Sequence, residues 1–334
     1  MRAVIITRFG GPEVLEVREV PPAVPRADQV LVRVHASALN RADLMQREGK
    51  YPAPADAPAD IPGLEFAGEV EAFGASVTRW SVGDRVFGIT GGGANAGYAV
   101  VHERTLARVP DNLSWTEAAA VPEAFITAHD ALVTQAGART GERILVHAVG
   151  SGVGLAAIQL ARALGAESFG TARTADKIDR AREYGLSDGC AVRDAFGEML
   201  AKLQEWSGGR GVDVVLDLVG GSYVPANIQA AALKARIMLI GTVAGREATI
   251  PLGVVLGKRL TIRGTVLRAR SVEEKIAATE AFARDVVPLL ASGAVRPVVD
   301  RVFALDDIRS AHERLESNES FGKVVLDMTR SRSR

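Results

Sequence analysis

Residues 145–166, LVHAVGSGVGLAAIQLARALGA, constrain this chain more than any other stretch: an apolar strand runs into a glycine loop and then into an amphipathic helix. Ile144, Leu145 and Val146 form a short buried-strand run. Gly150, Ser151, Gly152, Val153 and Gly154 form a loop that can turn sharply and let a ligand approach the backbone. Val153, Ala157, Leu160, Ala161 and Leu164 then recur at helical spacing, and Gly165 sits where a helix C-terminus favours glycine. The start of such a helix offers free N–H groups and a positive dipole end to a pyrophosphate. Leu155 stands where a strict GxGxxG has its last glycine, so the motif alone is a weak signal and its surroundings decide.

Those surroundings change rhythm at about residue 123. Strand-like runs at Arg143–His147, Ser168–Thr171, Gly189–Val192, Val212–Asp217, Arg236–Ile240 and Leu260–Gly264 alternate with helical stretches at Lys177–Tyr184, Phe196–Trp206 and Ser222–Leu233. Six strands with intervening helices predict an α/β fold with a doubly wound parallel Rossmann sheet over residues 123–265, its first strand feeding the glycine loop.

Before it, residues 1–122 carry short runs broken by Gly and Pro: Ala3–Ile6, Val30–His35, Gly68–Phe73, Arg85–Gly88 and Tyr98–His102. They predict a β-rich domain. The segment Tyr51–Pro62, with four prolines and no periodicity, is expected as a surface loop of the kind that borders sites. After a helix at Val272–Leu290, Val298–Phe303 and Lys323–Leu326 return to strand character. No linker precedes them, so residues 266–334 are expected to rejoin the N-terminal domain and make it discontinuous. The TRSRSR tail has nothing apolar to anchor it and is expected as a solvated terminus.

Composition excludes several classes. Forty basic residues balance forty acidic ones, so no global field draws the chain to nucleic acid or an anionic membrane. No apolar run is long enough to span a bilayer, and MRAVIITRFGG reads as a strand rather than a signal peptide, which together predict a cytoplasmic protein. The lone Cys190 rules out an internal disulfide and a multi-cysteine zinc site within one chain.

Dinucleotide preference is read past the second strand. An NAD site usually has an acidic residue about 20 positions beyond the first glycine. Here Gly170-Thr171-Ala172-Arg173-Thr174 reaches no carboxylate before Asp176. Arg173, Thr174 and Lys177 would receive a 2′-phosphate that a carboxylate would repel, so NADPH is the expected cofactor, with Arg193 after the third strand as a further candidate.

With a β-rich first half, a Rossmann second half and the string SALNRADLMQREGKY at 37–51, the sequence resembles the medium-chain dehydrogenases/reductases. More narrowly it resembles the zinc-independent, zeta-crystallin-type quinone oxidoreductases, in the tumour-suppressor-inducible branch. Further markers are Gly63-Leu64-Glu65-Phe66-Ala67-Gly68, Val82-Gly83-Asp84-Arg85-Val86, Pro122-Glu123-Ala124 and Gly322-Lys323-Val324-Val325-Leu326.

The resemblance implies a GroES-like catalytic domain beside the Rossmann domain. It also implies a nicotinamide near Asn40, Tyr51 and Thr127, and a cofactor groove completed by Gly241, Thr242, Val243, Leu267, Arg268 and Lys323. Asn40, Leu64 and Glu123 fall where zinc-dependent members place their ligands; leucine cannot ligate, so no metal is expected. Asn40 and Tyr51 are the candidate hydrogen-bonding groups for a substrate oxygen, with Asp43 as the group that orients them.

Hydride transfer to a quinone is the expected reaction. Two alternatives stay open: NADPH-dependent reduction of an activated double bond in an enone or enoyl thioester, and an NADPH-binding structural or RNA-binding crystallin-like role. A homodimer is expected through the open edge at Leu260–Gly264.

Overall fold

A computed structural model describes residues 1–192 and 196–330. Arg193 and the last four residues of the tail lie outside the described residues. The chain divides into two compact units, Met1–Ile126 with Leu267–Arg334, and Thr127–Val266.

The first unit is built on strands β1 (Arg2–Ile6), β2 (Leu15–Glu19), β3 (Gln29–Ala38), β4 (Glu65–Phe73), β5 (Arg85–Ile89), β6 (Tyr98–His102) and β7 (Leu106–Arg108). The second contributes β8 (Arg143–Val146), β9 (Glu167–Ala172), β10 (Asp188–Ala191), β11 (Val212–Asp217), β12 (Ala231–Leu239) and β13 (Thr261–Gly264). The chain then returns to the first unit with β14 (Val299–Ala304) and β15 (Lys323–Asp327).

In the first unit a seven-stranded sheet runs β14-β15-β3-β4-β5-β7, with β6 also paired to β3, and β1 and β2 form a separate hairpin. Its core follows from alternation: Val30, Val32 and Val34 point inward from β3, next to Phe66 and Val70 from β4 and Val86 from β5. The discontinuity matters because β15 lies antiparallel to β3, Val325 opposite Ala38. That register brings the start of β15, the end of β3 and the start of β4 to one end of the sheet.

The second unit is a parallel six-stranded sheet in the order β10-β9-β8-β11-β12-β13. Counted within the unit, this is third-second-first-fourth-fifth-sixth, the doubly wound Rossmann order. The reversal of winding falls between β8 and β11, so the loop after β8 opens at the switch point where such sheets bind ligands.

Two predicted helices end differently. The stretch expected as helix to Leu233 stops at Ala230, because Lys258 Nζ donates to the carbonyls of Ile228 (3.1 Å), Gln229 (2.8 Å) and Ala231 (2.7 Å) and closes the helix end. The chain then pairs Ala231 with Val212 and begins β12. The helix expected over Val272–Leu290 is two, Val272–Asp285 and Val287–Ala291. Pro288 has no N–H to continue the ladder.

Candidate active site

Asn40 follows β3 and opens the helix Arg41–Arg47; Glu65 begins β4; Lys323 begins β15. The sheet register therefore gathers an amide, a carboxylate and an ammonium from three distant stretches of sequence. Lys323 Nζ donates to Glu65 Oε1 (2.7 Å), Asn40 Oδ1 (2.6 Å) and the Leu39 carbonyl (2.8 Å), using all three of its protons. Asn40 Nδ2 donates to Glu65 Oε1 at 2.9 Å, and Glu65 Oε2 accepts the Glu123 N–H at 2.8 Å. Glu65 is wholly buried and Lys323 is 5% exposed. A buried carboxylate persists only with such partners.

Asp43 is also fully buried. Its Oδ2 accepts the Asn40 N–H (2.7 Å) and its Oδ1 the Gly63 N–H (2.8 Å). Burial pushes its pKa up against these two donors. Both oxygens hold backbone in place, which makes Asp43 a positioning residue for Asn40 and the Gly63 turn. Gly63 has φ +107°, and an added Cβ would lie 2.4 Å from the Asn95 nitrogen, so only glycine fits there.

Tyr51 is anchored from the other side. Arg268, 4% exposed, donates to the Gly91 carbonyl (2.8 Å), Gln46 Oε1 (2.5 Å) and the Tyr51 carbonyl (3.4 Å). Its guanidinium carbon lies 5.1 Å from the Tyr51 ring centroid. Burial raises the Tyr51 hydroxyl above its ordinary pKa, so the phenol stays protonated at neutral pH. Arg268 and Lys323 make these contacts inside the first unit, where Arg268 holds the Tyr51 loop and Lys323 the Asn40–Glu65 pair; Leu267 is buried in the same unit.

In the second unit, the helix Gly152–Leu164 starts directly after the loop with Ser151 as its cap, Ser151 Oγ accepting the Gly154 N–H at 3.1 Å. The left-handed residue of the turn is Ala148 (φ 50°) rather than one of the three glycines. Gly154 is required for another reason: an added Cβ would lie 2.5 Å from the Ala148 carbonyl and 2.7 Å from Val149 Cα. Gly241 packs as tightly, its absent Cβ 2.3 Å from the Leu218 carbonyl. Thr242 and Val243 follow it on the surface. Arg173 and Thr174 are exposed just past the end of β9, and Lys177 lies half-buried one turn into the next helix, Ala175–Arg182.

Beneath this face runs a buried chain of hydrogen bonds through His147. Thr171 Oγ1 lies 2.7 Å from His147 Nδ1, His147 Nε2 2.6 Å from Asn227 Oδ1, and Asn227 Nδ2 donates to Asp217 Oδ2 at 2.8 Å. Asp217 Oδ1 accepts the N–H groups of Val219 and Gly220, each at 2.8 Å. Asn227 gives its N–H to the carboxylate, so its oxygen accepts from His147. His147 is then the Nε2–H tautomer with Nδ1 accepting from Thr171. Burial lowers its pKa and keeps it neutral. The chain crosses the C-terminal ends of β9, β8 and β11 and holds the loop-bearing ends of three strands together.

A dinucleotide fits the second unit. The Thr127 hydroxyl is buried with no hydrogen-bond partner among the described residues, an orphan of the kind a ligand amide satisfies. The N–H groups of the loop and helix start point the same way in chemistry, toward an anion. A catalytic zinc does not fit the first unit. Leu64, 1% exposed, offers no ligand atom, and Lys323 already places a cation on Asn40 and Glu65. Among the described residues no cluster of three or more His, Cys, Asp or Glu is arranged to hold a metal ion.

Glu65 was not foreseen as a site residue, although an acidic residue inside an apolar strand run was a signal for it. The Asn227–Asp217 partnership had no such signal, since its members are linked only through space.

Two family models match the chain, "Alcohol dehydrogenase GroES-like domain" over residues 26–111 and "Zinc-binding dehydrogenase" over 152–283. A quinone oxidoreductase of Pseudomonas aeruginosa is 35% identical over 321 residues, covering 95% of this chain and 97% of its own length. Among solved structures, an NAD-dependent alcohol dehydrogenase superposes with TM-score 0.86 at 34% identity, covering 98% of this chain and 100% of its own. The Escherichia coli quinone oxidoreductase complexed with NADPH superposes with TM-score 0.85 at 29% identity, over 98% of this chain and 100% of its own. Likeness across both units, together with the sheet orders and the cluster at Asn40, makes this chain an oxidoreductase belonging to the quinone oxidoreductase family of medium-chain dehydrogenases/reductases.

Proposed function

We propose that the protein is an NADPH-dependent quinone oxidoreductase that works without zinc. The observation that carries the cofactor choice is the exposed Arg173–Thr174 pair at the end of β9, with Lys177 on the helix that follows. Charge-assisted hydrogen bonds from such groups to a 2′-phosphate contribute about 1.5–3 kcal/mol each.

Gly150, Ser151, Gly152, Val153 and Gly154 would hold the pyrophosphate through backbone N–H groups. Thr127 Oγ1 would meet the carboxamide, and Gly241, Thr242 and Val243 would wall the groove. When bound, the reduced nicotinamide supplies a hydride.

The chain's own part is to bind and orient the acceptor. Lys323 and Glu65 hold the Asn40 amide in one orientation; its second Nδ2 proton makes only a long 3.4 Å bond to the Ala38 carbonyl, which a quinone oxygen would replace. Tyr51 offers a protonated hydroxyl, pinned by Arg268. Asp43 acts through the Asn40 backbone rather than on substrate.

The proposal includes a cytoplasmic homodimer. Strand β13 pairs only with β12 among the described residues, and Leu252 and Leu256 of the same unit are 65% and 76% exposed. A second copy extending the sheet would cover this edge. Sedimentation should give twice the chain mass.

Steady-state rates with NADPH and NADH, against ortho- and para-quinones and enoyl thioesters, test the reading. Quinone turnover with NADPH preferred is expected. Turnover restricted to enoyl thioesters would overturn the quinone assignment, and equal use of NADH the cofactor assignment.

A further inference from the structure

Glu123 differs from every other carboxyl in the Asn40 cluster. Glu65 Oε2 accepts its backbone N–H at 2.8 Å, and five groups act on its charge: Glu65 from β4, Asp43 from the helix Arg41–Arg47, Lys323 from β15, Arg268 from the segment after β13, and Tyr51 from the loop. Asp43 accepts two backbone N–H groups, and Glu65 accepts from Lys323, Asn40 and the Glu123 backbone. Both are therefore committed as acceptors. Among the described residues no hydrogen bond reaches the Glu123 carboxyl, and the residue is half-buried. Three carboxyls share this space with two cations, Lys323 and Arg268. Of the three, the one without a donor is the one that keeps a proton.

We propose that Glu123 is the acid that protonates the reduced acceptor. This rests on the hydride-transfer reading above. The acceptor gains a hydride and with it a negative charge on oxygen. The Glu123 O–H bond breaks as the acceptor's new O–H bond forms, leaving the Glu123 carboxylate. The nicotinamide is oxidised, the acceptor is reduced, and solvent returns one proton to Glu123, which is only half-buried. The nearby Glu65 carboxylate disfavours the charged product on Glu123 and so speeds this return.

Desolvation and the adjacent Glu65 push the Glu123 carboxyl up to about 8, close to a working pH and suited to general acid chemistry.

The test uses the intact protein with para-benzoquinone and with an α,β-unsaturated ketone. Wild-type kcat/KM is expected to fall as pH rises through about 8. Glu123→Gln should remove that alkaline limb and lower kcat at pH 7 by roughly 10²-fold or more with the ketone, whose reduced anion is the stronger base. The loss with the quinone should be smaller, and Glu123→Asp should restore part of it.

A second readout needs no turnover: infrared titration of the cofactor-free protein should show a protonated-carboxyl band that disappears near pH 8 in wild type and is missing in Glu123→Gln. An unchanged pH profile with less than a twofold rate loss in folded Glu123→Gln would overturn the proposal. A carboxyl band gone by pH 6 would overturn it even if that variant fails to fold. If wild type turns over neither acceptor, the hydride-transfer reading fails and the donor role with it, while the infrared band still reports where the proton sits.

Discussion

The two units each bury a polar network, and the networks solve the desolvation problem in opposite ways. In the β-rich unit the network is built on charges, Lys323 against Glu65, with Asp43 and Arg268 nearby and the raised carboxyl of Glu123 beside them. In the Rossmann unit a neutral histidine, an amide and a hydroxyl pass hydrogen bonds in one direction and end on a single carboxylate capped by backbone N–H groups. A network of charges is sensitive to the loss of any one partner, because the survivor is left unpaired. A neutral chain is less costly to break but depends on one tautomer. The charged network suits binding and proton movement, and the neutral one suits fixing the frame on which a cofactor rests.

Lys323→Met breaks this comparison most directly, since it strands Glu65 in the core. A destabilisation of about 3–5 kcal/mol is expected, read by urea unfolding; a loss below 1 kcal/mol would mean that the pair is not desolvated. Arg173→Ala touches neither network. It should lower the NADPH-over-NADH preference by about tenfold to a hundredfold and leave stability within about 0.5 kcal/mol; an unchanged preference would move the phosphate site elsewhere.

Asn227→Ala interrupts the neutral chain between His147 and Asp217 and should cost about 1–3 kcal/mol, less than Lys323→Met. Equal losses would erase the distinction between the networks. The smallest effect is the difference in pH dependence. The folded-state pKa of Glu123 is raised from 4.5, so its contribution to stability is complete below 4.5 and is lost as pH rises through about 8. His147 is lowered from 6.5, so its contribution is present above 6.5 and is lost as pH falls. Thermal melts should show Glu123→Gln gaining on wild type from pH 5 to 8. A gain toward acid pH instead would reverse the assigned sign.

The local pattern was legible wherever neighbours in sequence decide the outcome. The strand–loop–helix at 143–164, the six-strand alternation and the β character of the first half are short-range properties of apolar spacing and glycine placement. Val212–Asp217 is observed over the span read from the sequence. Ala230 shows the limit of such reading. Its helix ends there because Lys258, 28 positions on, seals the carbonyls, and no local propensity encodes that contact. The same holds for the turn at Ala148, where an alanine rather than a glycine takes the left-handed position and Gly154 serves close packing.

Sequence alone thus carried the class of fold, the dinucleotide loop and the cationic stretch after β9, because each is written in consecutive residues. It named Asn40 and Tyr51 as hydrogen-bonding groups and Asp43 as the group that orients them, but not the partners that hold them. Those partners came from pairing β15 with β3, which sets Lys323 against Asn40 and Glu65 across 283 and 258 positions of chain. Only that register decides which carboxyl meets an ammonium, which meets backbone N–H groups, and which is left to hold a proton. A charge's state depends on the distance and desolvation of its partners, and those exist only once the chain has closed on itself.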